Sequence, residues 1–454
     1  MQFDKFGAAH STTSGAAIKA FETAVQAVAA HRPIGDSLQS ALRHDDNMVA
    51  AHALFGFANV ILGRSETVAN ARGILAGAET RMHAAGGGTA SERALVAALR
   101  LAIDDHLQAA ADLLDLHLID QPCDFLAVKL SHALRFMGGQ SAEMLRVTQR
   151  ILPSWTSGQA GYGFLLGCHA FSLEETGHFV AAESFGRDAY AHENADAWGL
   201  HAVSHVMEMS RRTDEGADWL EDARPNWSLC NNFAFHIGWH LALFRLEQGQ
   251  IDSVLDIYDR DIRPVATDDF RDMANATSML WRLELEGISV GSRWDELRAV
   301  ASNRRRDVTY VFGSLHYLLA LAASGDRDRC LELLNELRKI AATPNHDQAI
   351  VAAEVGVPLA EVIIAMSQGS SVRSDLVAAA HKLPIIGGSH AQRDVFLRTL
   401  MMAAAEQGNS SSVLAITRIR HSLRSTDRFV HLIEKRLNTR IGASNATLTA
   451  QRAS

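Results

Sequence analysis

A chain of 454 residues that is 47% hydrophobic and 21% charged holds enough apolar side chains for a large core, which excludes a disordered polymer. Its 43 Lys and Arg against 52 Asp and Glu leave a formal charge of -9, so no overall basic surface calls for nucleic acid or an anionic membrane. The four cysteines (Cys123, Cys168, Cys230, Cys330) lack any C-x-x-C spacing, which argues against a disulfide framework and a thiolate zinc site.

The opening "MQFDKFGAAHSTTSG" is acidic and polar where a signal peptide needs an apolar run, and no stretch approaches eighteen consecutive apolar residues. The expectation is a cytoplasmic protein that neither spans a membrane nor binds nucleic acid. With only 8 prolines and little strand-type alternation, the chain reads as all-α. Short turns between apolar helical stretches recur at Gly63, Gly139, Gly177, Gly249, Gly287, Gly325, Gly369 and Gly408, with equivalent turns at Asp105 and Arg211. From residue 63 the spacings are 42, 34, 38, 34, 38, 38, 38, 44 and 39. Such recurrence marks stacked helical hairpins. The weakest marks are Gly287, where the next helix is delayed to Trp294, and Gly369, whose spacing implies an insertion.

A small or apolar residue sits five after most marks: Val68, Ala110, Met144, Ala182, Gly216, Val254, Cys330 and Val413. That is the tetratricopeptide pattern, in which a short side chain lets the two helices of a hairpin close. The fold expected is therefore a tetratricopeptide-like α-α superhelix, a solenoid of hairpins over residues 1–440 without an internal domain boundary. Residues 441–454 read as a flexible tail, since "IGASNATLTAQRAS" is polar and aperiodic.

The runs "GYGFLLGCHAFSLEETGHFVAAE", "DAWGLHAVSHVMEM", "FAFHIGWHLALFRLEQGQIDSVLDIYD", "SMLWRLELEG", "HYLLALAASGD" and "GGSHAQRDVFLRTL" occur in that order. Together they resemble the tetratricopeptide repeat protein 38 family, over about residues 45 to 415. The resemblance implies the repeat fold and transfers no reaction or partner. It further implies that the first helix of each hairpin lines a concave groove.

Two histidine pairs stand out, His201 with His205 and His236 with His240, each four residues apart. They lie ten and six before Arg211 and thirteen and nine before Gly249, while His316 lies nine before Gly325. At about 100° per residue these offsets share one face within an arc of roughly 100°. By the resemblance that face is the groove, where Trp281 joins them, and at three before the marks stand Glu174, Glu208 and Glu284.

Two imidazoles one turn apart reach one cation, and a second pair on a neighbouring helix completes four nitrogens. Such a site suits zinc, iron, copper or nickel. Glu208 is then a ligand, a supporting acceptor or the base for bound water. "HAVSH" lacks the Glu of H-E-x-x-H, so the zincin mechanism has no motif here. Without metal, the same face is a polar, aromatic-rimmed pocket for a small anion or a peptide carboxylate, helped by Arg245 and Arg282.

His52, His132 and His169 fall on other faces and read as packed between helices, and Trp198, Trp219, Trp227 and Trp239 as core. In "IIGGSHAQRDVF" Ser389 is a candidate N-cap. The same loop is positioned to offer His390 or Arg393 to the groove. Two functions stay open: a repeat protein that binds a small molecule or peptide, and a metal-dependent hydrolase with His201, His205, His236 and His240 as ligands and Glu208 as base.

Overall fold

A computed structural model describes residues 1–439. The tail expected at 441–454 lies outside the described residues. Among the described residues strand is confined to the antiparallel pair Gln2–Phe3 and Ala9–His10. Everything else regular is helical, from Gly15–Ala29 to Ser410–His421 and a last helix at 428–439. The all-α expectation holds.

All ten turn marks have positive φ, including the two without glycine, Asp105 at 59° and Arg211 at 58°. A left-handed residue just past a helix lets the next N–H reach back to orphan carbonyls and stops the helix. At Gly177 this is a Schellman pair: His178 N–H donates to Leu173 O at 2.8 Å and Gly177 N–H to Glu174 O at 2.9 Å. An eleventh turn of the same kind, at His31 (φ 51°), joins Gly15–Ala29 to Gly35–His44. Sequence reading missed it because it carries no glycine and precedes the first recurrence. The two weak marks are the irregular ones: after Gly287 the next helix waits until Arg293, and after Gly369 until Leu376.

Of the eight small or apolar residues five after a mark, all but Val68 are buried, whereas Ser292 and Ser374, five after the two weak marks, are not. Gly216 shows why size matters there: a Cβ added to it lies 2.3 Å from Phe244 Cζ. Ser389 caps His390–Glu406 as the sequence implies, and Gln392 completes a capping box.

The described chain divides into two compact units where the repeat marks draw no boundary. The first comprises residues 1–206, 218–237 and 345–348, and the second residues 207–217, 238–344 and those from 349 onward. Four of the five divisions fall inside helices, Ala197–Met209, Thr213–Asp222, Phe233–Glu247 and Asp347–Val351, and the fifth, at 344/345, in a short turn, so no long linker marks them in the sequence.

In the first unit, successive hairpins pack as Val49–Ile61 on Ser65–Ala84, Ala90–Ile103 on Leu107–Asp120 and Tyr162–Glu175 on Phe179–His192. Phe171, Trp198, Cys168 and Ala202 form a core cluster against which Phe233 packs.

The second unit departs from strictly sequential stacking. Phe270–Leu285 packs on Val311–Ala323, its successor, and also on His390–Glu406, more than one hundred residues further on. Residues 425–436 serve the ends of three helices: Ser425 N donates to Met209 O, Arg428 Nη1 to Leu246 O and Arg436 Nη2 to Leu285 O. Cations at helix C-termini meet the negative end of the helix dipole as well as its orphan carbonyls. The run Asp347–Ser367 has the length and mean hydropathy of a membrane span, yet 56% of its most apolar window is buried inside the protein. Its Leu359, Ala360, Val362 and Ile363 are core residues.

Candidate metal centre

In the first unit, Ala197–Met209 places His201 and His205 one turn apart, and Phe233–Glu247 brings His236 to them. Their Nε2 atoms converge: His205 to His201 is 2.9 Å and His201 to His236 is 3.0 Å. A neutral imidazole nitrogen carries either one proton or one lone pair, so His201 Nε2 satisfies only one of these two contacts as a hydrogen bond. A cation between the rings accepts all three lone pairs. Zn–N distances of about 2.0–2.1 Å put tetrahedral ligand nitrogens about 3.3 Å apart, within a few tenths of an ångström of what is seen.

On its far side His205 Nδ1 faces Glu174 Oε2 at 3.2 Å and Glu175 Oε1 at 4.0 Å. Carboxylates at ion-pair distance favour the tautomer with its proton on Nδ1, which leaves the Nε2 lone pair facing inward, the kind of support that metal-ligating histidines usually have. Glu174 and Glu175 are both buried, and both lie in the last turn of Tyr162–Glu175. Negative charge at a helix C-terminus opposes the helix dipole, so positive charge nearby is favoured. With His205 the two carboxylates form a further group with metal-ligand spacing. Aromatic rings enclose the triad: Phe171 stacks on His201 at 5.5 Å, Trp198 lies 5.1 Å from it and Phe233 5.3 Å.

His236 is 8% exposed, His201 1% and His205 not at all. The expected position on an open groove is corrected by this burial. The helical register brings His201, His205 and His236 together, but aromatic side chains enclose them, and His316, put on the same face by the same count, packs against Phe312 and Phe396 instead.

In the second unit, His240 stands one turn beyond His236 on the same continuous helix, and its Nδ1 lies 3.2 Å from Glu208 Oε2. The other oxygen of Glu208 receives Arg424 Nη1 at 3.3 Å. Both oxygens of the expected general base are thus engaged.

The remaining candidates have structural partners. Trp281 is buried and donates from Nε1 to Thr399 Oγ1 at 3.0 Å, which corrects its groove assignment. His316 is a core residue against Phe312 and Phe396, and burial pushes its imidazole down to about 3, so it stays neutral. Glu284, expected to share a carboxylate layer with Glu174, is exposed and accepts from Trp294 Nε1 at 2.9 Å. Arg245 donates to Gln248 at 3.0 Å near its helix end. Arg393 donates to the Gly388 carbonyl and lies 2.8 Å from His390 Nδ1, tying down its own loop. Arg282 is buried and donates to the Ser278 and Ala391 carbonyls at 3.2 and 2.7 Å.

His132 and His169 are buried between helices, as their register implied, with burial lowering them to about 3 and about 4. The sequence did not single out Glu175, nor the buried ionic cluster of Arg398, Arg420, Arg424 and Asp427. Glu175 sits beside an offset that was counted, whereas the cluster joins residues from separate elements at no fixed spacing.

No family model matches the chain. Among solved structures, the tetratricopeptide domain of P58(IPK), known from a crystal structure, is 12% identical over 78% of this chain and 98% of that one, with a TM-score of 0.22. At that score the likeness carries no weight, and the hairpin architecture rests on the helices and turns of the chain itself.

Proposed function

We propose that this protein is a cytoplasmic helical-repeat binding protein that holds a divalent transition-metal ion, of the zinc class, at His201, His205 and His236. The resemblance to the tetratricopeptide repeat protein 38 family belongs to this reading, with the repeats serving as a binding frame. The observation that carries it is the convergence of three Nε2 atoms at 2.9 and 3.0 Å. The Glu174 charge beside His205 Nδ1 favours the tautomer whose Nε2 is free to bind metal, and the aromatic shell lowers the local dielectric.

Two features favour binding over hydrolysis. The ligands are buried, and Glu208 holds His240 Nδ1 on one oxygen and Arg424 Nη1 on the other, contacts that tie this carboxylate to structural partners and weaken it as a base for metal-bound water. Burial likewise disfavours a peptide at the imidazoles.

The test is elemental analysis of protein purified without chelator or histidine tag. About one equivalent of metal is expected, and His201→Ala and His205→Ala should each lose it while circular dichroism stays helical. Zinc at about 100 times its dissociation constant should stabilise the wild type by about 2.7 kcal/mol. Absence of metal, together with an unchanged melting temperature on zinc addition, overturns the proposal.

A further inference from the structure

The turn at His31 joins Gly15–Ala29 to Gly35–His44 with φ 51°, a conformation that glycine takes without strain and histidine adopts at a cost. The ring gives the position another use. It stacks on Phe233 at 4.2 Å and on Trp198 at 5.5 Å, inclined by 21° to each. Those two rings in turn lie against the candidate metal ligands: Phe233 stacks on His236 at 5.5 Å, and Trp198 is tilted against His201 at 5.1 Å. Exposure falls inward along this layer. His31 and Phe233 are half-buried, Trp198 and His236 are 8% exposed, and His201 is 1% exposed.

The turn is strapped to the segment that carries Phe233. Asn231 N–H donates to His31 O at 2.7 Å, Arg32 Nη1 donates to Leu229 O, and Cys230 Sγ–H donates to Ala30 O at 3.6 Å. These contacts join chain segments about as far apart as the first unit allows, and all of them lie within that unit.

Elsewhere the enclosure is fixed by the core. Phe171 and Trp198 belong to one cluster with Cys168 and Ala202, and the buried Glu174 and Glu175 stand behind His205. An ion reaches ligands so deeply covered only through a local opening, and half-exposed turns held by a few hydrogen bonds open more readily than packed helices.

We propose that the His31 turn is the lid of the metal centre, lifting from Phe233 and Trp198 to let the ion in and out and closing over the loaded site. This rests on the reading of His201, His205 and His236 as ligands. Acting through Phe233 and Trp198, the lid governs how fast the ion exchanges and leaves the strength of binding to the three histidines. It also accounts for a histidine at a left-handed turn position: the side chain is needed there as a cover.

The test uses the full chain loaded with cobalt(II), whose visible absorption reports occupancy. Entry is timed on mixing with cobalt(II), and exit on adding excess EDTA. His31→Gly removes the ring and suits the left-handed turn, so the fold is kept. Loss of two ring pairs should quicken entry and exit together by about tenfold. The dissociation constant should stay within about threefold of the wild-type value, since a lid changes both rates alike. Arg32→Gln, which loosens the strap and leaves the rings in place, should move both rates the same way by less, and carries the test should His31→Gly fold poorly. Unchanged rates in a protein that binds cobalt(II) overturn the lid alone. Weaker binding with unchanged entry also overturns it, because His31 would then support the ligands. A wild type that takes up neither cobalt(II) nor zinc overturns the metal reading and the lid with it.

Discussion

Arg211 adopts φ 58° at a turn where most of its counterparts are glycine. A left-handed conformation costs a side chain with a Cβ about 1–2 kcal/mol, while glycine gives up about 0.5–1 kcal/mol of that through its freer unfolded state. Among the described residues Arg211 makes one loose ion pair, 3.7 Å from Glu247 with 49% of its side chain exposed, and such pairs contribute little. Arg211→Gly should therefore stabilise the protein by about 0.5–1 kcal/mol, read as a higher midpoint in denaturant unfolding with an unchanged slope. A lower midpoint would show that the Glu247 contact matters more than the backbone strain. Residue spacing made the histidine pairs legible because i and i+4 share a helix face whatever surrounds them. It placed Glu174 and Glu284 at equal offsets, yet one is buried beside His205 and the other is exposed. An offset fixes the angle on a residue's own helix and says nothing about what covers it.

The hairpin was the most legible element. Turn glycines are required by backbone geometry, and a small residue five positions on is required by the approach of two helices, so both leave local marks. Gly216 tests the second requirement directly. It lies inside Thr213–Asp222, where alanine has the better helix propensity, by about 1 kcal/mol. A methyl group there meets the rigid Phe244 ring at 2.3 Å, far inside contact distance. Overpacking of this kind costs about 1–3 kcal/mol, so Gly216→Ala should be net destabilising despite its propensity gain. Gly216→Ala combined with Phe244→Leu should recover part of the loss, since the ring is what obstructs. If the single variant melts at or above the wild type, the close approach of the two helices is not what keeps glycine at this position.

At the scale of the whole chain, what escaped the sequence is long-range. The ionic cluster around Asp394 and Asp427 and the seat of Phe270–Leu285 on His390–Glu406 both join segments that no local period connects. Within the first unit the clearest such link is between residues 105–108 and 347–348. Asp347 N–H donates to Asp105 O at 3.0 Å, Gln348 N–H to the Asp105 carboxylate at 3.0 Å, and Gln108 N–H to the Asp347 carboxylate at 2.9 Å. This reciprocity explains why an aspartate holds a left-handed turn position that glycine usually takes: its side chain is a receptor for another segment.

Burial, reinforced by the Asp347 charge and opposed by the Gln348 hydrogen bond, raises Asp105 to about 7 from an ordinary 3.8. Between these values the folded chain binds a proton that the unfolded chain does not, so stability falls as pH rises from about 4 to 7 and levels off above. Three units correspond to about 4 kcal/mol as an upper bound, and the 25% of the side chain left exposed reduces it. Asp105→Asn keeps an acceptor for Gln348 and removes the ionisation. Its denaturation midpoint should match the wild type below pH 4 and exceed it at pH 8, with the difference opening across that window. Hydrogen exchange at Asp347 and Gln348 should follow the same course, accelerating with pH in the wild type, beyond the intrinsic rate, more than in the variant. Parallel curves for the two proteins would show that Asp105 titrates at an ordinary value and that this link carries no pH dependence.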